Sequence, residues 1–108
     1  MSDDVYVQAI GLRPERAEEY LRLHAETWPE VVEALRQAGL HDYTIHYQPE
    51  AGLLVQRFRV AHPDPEAALR TLSEGEAMRP WRELTASCQE PFPGHASWAP
   101  LREVFRLD

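Results

Sequence analysis

Apolar and polar positions along the chain change their period several times, and each change marks an element. Val5 to Ile10 alternates around β-branched residues and reads as a strand that Gly11 ends. Pro14 suits the first turn of a helix. From there Ala17, Leu21, Ala25 and Trp28 recur at the 3.6-residue period of an amphipathic helix. Glu15, Glu18 and Glu19 near its start suit the positive end of a helix dipole. Thr27 to Glu30 reads as a stop and restart, because Pro29 disfavours helical geometry at Trp28 yet can open a new helix. Val31, Val32, Leu35 and Ala38 form the next stripe, and Gly39 fits the C-terminal cap.

Asp42 to Gln48 and Leu53 to Val60 read as two strands of a hairpin joined by Pro49 to Gly52. Alternation puts Tyr43, Ile45 and Tyr47 on one face, Thr44 and His46 on the other. His62 to Pro65 closes the second strand and starts a short helix over Glu66 to Leu72. Ser73 to Gly75 breaks it, and Met78, Trp81, Leu84 and Thr85 carry a further helical stripe to about Cys88. Gln89 to Pro100, with three of the nine prolines, is expected to be an irregular arm, and Glu103 to Leu107 a last strand. Strand, helix pair, strand, strand, helices, strand is the βαββαβ pattern of a ferredoxin-like α+β sandwich.

Composition narrows the chemistry. At 108 residues the chain is expected to form one domain, 1–108, with a core but little surplus burial, so that dimerisation would supplement it. The apolar share is 44% and the charged share 27%, both signs interspersed, which argues for folding over disorder. Eleven basic against 18 acidic residues give a net charge of -7. With no basic run, nucleic acid is a poor partner. Every basic residue is Arg, and Lys and Asn are both absent. That removes a Schiff base, a phosphate-loop lysine and a lysine general base, and also a glycosylation acceptor and an Asn-Gly turn. The single Cys88 forms no internal disulfide and no Cys-rich zinc site, which suits a reducing compartment. An acidic Met1 to Asp4 followed by no long apolar run argues against a secretory signal or membrane span, so the expectation is a cytoplasmic protein.

The remaining candidates for chemistry are His, Tyr, carboxylates and Arg. Tyr20 and His24 stand four apart on the first helix, so a phenol and an imidazole share one face. His24 titrates nearest neutrality and is the best-tuned acid or base, with Tyr20 as hydrogen-bonding partner. The plainer alternative is a surface histidine beside an interfacial tyrosine. His41 and His46, five apart on a strand, should point to opposite faces, so no metal site is expected. His62 and His95 read as solvated loop residues and Cys88 as a buried structural thiol. Trp81 beside Pro80 is either core or a ligand platform. Ser73, Ser87 and Ser97 lack the surroundings of a nucleophile elbow.

Several blocks resemble the L-rhamnose mutarotase family. Glu18-Glu19-Tyr20, His24 and Trp28-Pro29-Glu30 match its E-E-Y, x-x-H, W-P-E run. Ala38 to Ile45 is similar to its A-G-x-x-x-Y-x-I segment, Gly52-Leu53-Leu54 to its G-L-L, and Leu101 to Asp108 to its L-x-E-V-F-x-L-D terminus. The order and spacing hold from the first strand to the last residue. The resemblance implies a homodimeric α+β barrel that interconverts sugar anomers without a cofactor, taking a monosaccharide and neither nucleic acid nor membrane as partner. It implies His24 as proton donor and Tyr20, Tyr43 and Trp81 as substrate-binding groups.

Two departures bear on specificity. The family's R-W-W reads Arg79-Pro80-Trp81 here, so one aromatic wall is missing and a helix must begin or kink at Pro80. Gln56, Arg57 and Arg59 stand where the family is apolar, aromatic or acidic. Arg57 is therefore a candidate substrate-binding residue that would favour another sugar or a sugar acid; the alternative is a solvated edge. Two other functional classes remain open: a cofactor-free oxygenase or isomerase on the same scaffold, and a non-catalytic binding homologue.

Overall fold

The sheet is built around two adjacent central strands. In the computed structural model, which describes residues 4–108, β1 (Asp4–Leu12) buries Ala9, Ile10 and Leu12. Of the acidic N-terminal stretch Met1 to Asp4, all but Asp4 lies outside the described residues. β1 pairs antiparallel with β3 (Leu53–Val60), from Asp4 opposite Val60 to Gly11 opposite Leu53. β2 (Leu40–Gln48) pairs antiparallel on the other edge of β3. Two short segments, β4 (Gln89–Glu90) and β5 (Ala99–Pro100), share the remaining edge of β1. The resulting order β2-β3-β1-β4, with helices between the strands, is the ferredoxin-like α+β arrangement that the element order predicts.

Four helices cover one face: α1 (Ala17–Ala25) after a 3-10 turn at Pro14–Arg16, α2 (Pro29–Gln37), α3 (Pro65–Glu74) and α4 (Arg79–Cys88). Proline stands in the first two positions of the last three, where its missing N–H leaves no bond unmade. Pro80 thus opens α4 rather than kinking it. Asp64 caps α3 by accepting from the Ala67 N–H at 3.1 Å. Gly39 follows α2 at φ +88, and a Cβ there would run into the Ala61 carbonyl oxygen, so glycine alone fits. In α1 the buried face is Ala17 and Tyr20, while Leu21 is 45% exposed. The stripe predicted through Leu21 is therefore turned by about one residue, because the larger Tyr20 ring takes the core position beside Ile10, Leu12 and Leu54.

An irregularity in β2 decides which of its side chains reach the helices. Leu40 pairs with Val60 and His41 with Arg59, but the next pair is Thr44 with Arg57. Asp42 and Tyr43 thus stand opposite Phe58 alone, as in a β-bulge. Asp42 adopts φ 51, the left-handed region that aspartate tolerates better than most side chains. The extra residue shifts the alternation, so that Leu40 and Tyr43, three apart, both pack against Phe58 beneath the helices. It also brings His41 and His46 to the same open face, reversing the expectation from simple alternation. Among the described residues no group of three or more metal-capable side chains forms, and no helix is long and apolar enough to cross a membrane.

The end of the chain differs from its reading. Glu103 to Leu107 is not a strand. The last strand is instead split between β4 and β5, within the segment expected to be irregular. After the Leu101 N–H donates to the Val7 carbonyl at 2.8 Å, the arm finds no neighbouring strand among the described residues, and Val104, Phe105 and Leu107 are 83%, 77% and 85% exposed.

Candidate active site

Between the helices and the inner face of β2 lies a cavity of about 400 Å³. His24 and Thr27 enter from the end of α1, Val31, Val32 and Leu35 from α2, Tyr43 and Ile45 from β2, and Met78 and Trp81 from the start of α4. Its walls are mainly aliphatic and aromatic, with a few polar atoms converging, as in pockets for small molecules. None of the lining residues is an arginine or a carboxylate, so the wall suits an uncharged ligand.

His24 is the pivot. Its Nδ1 lies 3.0 Å from the backbone carbonyl of Tyr20, one turn earlier. A carbonyl can only accept, so Nδ1 carries the hydrogen, and in the neutral ring Nε2 presents a bare lone pair. Burial lowers the pKa of His24 below the ordinary 6.5, partly offset by the bond to the Tyr20 carbonyl. The ring is therefore neutral and basic at neutral pH. It is clamped between two aromatics: Tyr20 stacks on it with ring centres 4.2 Å apart, and Trp81 meets it edge-on at 5.2 Å. Thr27 Oγ1 donates to the His24 carbonyl at 3.0 Å, tying the end of α1 to the cavity wall.

The two tyrosines are held in opposite senses. Tyr20, 2% exposed, lies one layer behind His24. It accepts a long bond from Gln89 Nε2 at 3.4 Å, and burial raises its pKa to about 12 against the lowering effect of that bond. Tyr43 stands in the wall itself and donates to Gln56 Oε1 at 2.6 Å, while Gln56 Nε2 donates to Gln8 Oε1, also at 2.6 Å. Gln8 and Gln56 face each other across β1 and β3. Leaving such a buried amide unpaired would cost about 1–3 kcal/mol, so the two glutamines satisfy each other. Burial pushes the Tyr43 pKa up as well, with the nearby Tyr20 adding to it, and both phenols stay protonated through neutral pH.

Of the five site residues read from the sequence, His24, Tyr43 and Trp81 meet at the cavity and Tyr20 backs them. Arg57 is not brought there. It shares the outward phase of β3 with Val55 and Arg59, and its Nη1 bonds Asp42 Oδ2 at 2.9 Å, with Arg59 Nε on the same oxygen at 3.2 Å. The Arg57 and Arg59 bonds hold the Asp42 carboxyl below its usual range. Residues missed by sequence reasoning are Gln8 and Gln56, Gln89, Thr27, Met78 and Trp28. Trp28 meets Trp81 edge-on at 5.0 Å. A signal for Gln56 existed, since it shares the parity of Leu54, Phe58 and Val60.

Comparison with known proteins gives this geometry a context. The family profile described as L-rhamnose mutarotase matches residues 5–107. A protein named L-rhamnose mutarotase from Acidiphilium cryptum is 40% identical over 99 residues, spanning 91% of this chain and 92% of the relative. One of the same name from Bacteroides thetaiotaomicron is 31% identical over 98 residues, spanning 90% and 91%. The crystal structure of an L-rhamnose mutarotase from Formosa agariphila superposes with a TM-score of 0.77 at 22% identity, covering 97% of this chain and 99% of that one. A putative antibiotic biosynthesis monooxygenase from Bacteroides thetaiotaomicron shares the fold at a TM-score of 0.62 and 18% identity, covering 96% and 91%.

Proposed function

The chain belongs to the L-rhamnose mutarotase family, a family of isomerase-type enzymes, and on that premise we propose that it interconverts the α and β anomers of L-rhamnose or a closely related neutral sugar. The observation that carries the reading is His24, neutral, with Nε2 bare and its ring clamped at the edge of an apolar cavity. Mutarotation needs a proton taken from the anomeric hydroxyl and one delivered to the ring oxygen. The bond between the anomeric carbon and the ring oxygen breaks as the carbonyl forms, the opened chain turns about its first carbon–carbon bond, and closure on the other face reverses both transfers. His24 Nε2 takes the first proton and, once charged, is the donor for the ring oxygen. No further reactant enters the balance, so no cofactor is required.

In this reading Trp81, Val31 and Ile45 hold the apolar side of a 6-deoxy sugar, and Tyr43 meets a hydroxyl on its polar edge. Tyr20 acts by stacking on His24, while Arg57, paired with Asp42 on the far side of the sheet, takes no part in binding a neutral sugar. The absence of a lining cation or carboxylate favours a neutral sugar over a sugar acid. The open sheet face and the exposed Val104, Phe105 and Leu107 support a homodimer, checked by light scattering on a sizing column: a monomer at micromolar concentration contradicts it.

Exchange NMR between the two anomeric protons tests the activity. Wild type should accelerate exchange well above the spontaneous rate, and His24→Ala should reduce it by about 10²- to 10⁴-fold without unfolding the chain. The mainly apolar cavity wall would also take a flat aromatic ligand; binding of a polycyclic phenol with no sugar exchange would move the assignment to a cofactor-free oxygenase or isomerase.

A further inference from the structure

Tyr43 has one hydroxyl hydrogen, and it is spent on Gln56. Gln56 is 5% exposed and is fixed from behind by Gln8. These two amides lie directly opposite each other in the register of β1 and β3, one layer below the cavity. From this geometry we infer that Gln56, anchored by Gln8, is a positioning residue that sets specificity by making Tyr43 a pure hydrogen-bond acceptor toward the ligand. The inference deepens the proposed sugar reading and rests on it.

A tyrosine hydroxyl free in a wall can turn to donate or to accept. With its hydrogen committed inward, its lone pairs are what remain for the cavity. A substrate hydroxyl at that point donates and is welcome, whereas a carbonyl, carboxylate or ether oxygen meets lone pairs with no hydrogen between them. A sugar lacking that hydroxyl loses the bond. The relay therefore selects for a donor at one ring position of the sugar, and does so from residues that never touch it. Such a contact is made equally with the resting sugar and during ring opening, so it acts on KM rather than on the maximal rate.

The test compares wild type with the paired variant Gln8→Leu/Gln56→Leu, which removes the relay without leaving an amide orphaned. Anomeric exchange is measured on L-rhamnose and each of its monodeoxy analogues, with a thermal melt for each protein. The paired variant should raise KM for L-rhamnose about tenfold with the saturated rate within about twofold of wild type. For the one analogue lacking the contacted hydroxyl, wild type and variant should share one KM. Tyr43→Phe, which removes the acceptor outright, should lose at least as much, and adding the paired change to it should alter KM no further. Gln56→Glu keeps an acceptor for Tyr43, and Gln8 can turn its amide to donate, so KM should return to within about threefold of wild type. If the paired variant does not fold, Gln56→Glu and Tyr43→Phe carry the comparison. Unchanged KM in the paired variant and Tyr43→Phe, or a KM loss in Gln56→Glu as large as in Tyr43→Phe, overturns the inference while leaving the mutarotase reading intact. Failure of wild type to accelerate exchange of any neutral sugar overturns that reading itself, and this inference with it.

Discussion

On the helix-covered side of β2 and β3, Tyr43, Ile45, Gln56 and Phe58 are held by short hydrogen bonds and ring contacts in a mostly dry layer. On the opposite side of the same strands, Asp42, Thr44, Arg57 and Arg59 stand half exposed, and Asp42 meets the two arginines through ion pairs at 2.9 and 3.2 Å. Successive residues of one strand thus live in different dielectric environments. A polar contact on the inner face fixes direction, because any alternative leaves a buried group unpaired. The outer contacts are screened and individually weak. Both guanidiniums reach the one residue, Asp42, and it is the left-handed backbone of Asp42, not these ion pairs, that makes the bulge turning Tyr43 inward. The inner face lines the cavity, and the bulge at Asp42 sets the phase of the strand that does so.

Substitutions that treat the two faces alike should have very different effects. The largest is on the inner side. Trp81 is 7% exposed and touches both His24 and Trp28. Trp81→Ala should cost about 3–5 kcal/mol by chemical denaturation and loosen His24, so that exchange is lost along with stability, whereas Trp81→Phe should keep much of both. An intermediate effect separates backbone from charge at the bulge. Asp42→Val places a β-branched side chain at φ 51 and should lower Tm by roughly 5 °C and raise KM as Tyr43 is displaced. Asp42→Gly drops the ion pairs but keeps the backbone, and should leave KM within about twofold of wild type. If Asp42→Gly proved as damaging as Asp42→Val, the ion pairs and not the bulge would be the positioning device. The smallest effect is expected for Arg57→Gln, with Tm within about 2 °C of wild type and unchanged kinetics toward neutral sugars. A selective loss of activity toward a sugar acid in that variant would place Arg57 in the site after all.

Much of the architecture was legible from periodicity, because alternation and the 3.6-residue stripe report which face is buried. Tyr20 and His24 were paired by helical spacing alone, and the structure stacks them at 4.2 Å. What escaped was phase. Nothing in the Leu40 to Ile45 run marks a bulge by composition, since the left-handed position is taken by aspartate rather than glycine, so the shared face of His41 and His46 was misread. On β3, Gln56 and Arg57 are adjacent polar residues, and charge drew attention to Arg57, which lies on the outer face of the sheet. Parity with Phe58 and Val60 would have chosen Gln56. The last strand was misplaced because Val104, Phe105 and Leu107 are apolar residues of strand-forming character that find no partner strand among the described residues.

In the proposed reaction a half-buried, neutral His24 is the base that opens the sugar ring. Protein-catalysed exchange of the L-rhamnose anomers, followed from about pH 8 down to about pH 5, tests it most directly. Protonation of Nε2 removes the base, and burial sets its pKa below the ordinary 6.5. The saturated rate should therefore hold at and above neutral pH and fall toward acid along a single limb with its midpoint below 6.5, with that limb absent from the residual rate of His24→Ala. A rate that rises toward acid, or an acid limb that persists in His24→Ala, would contradict the account.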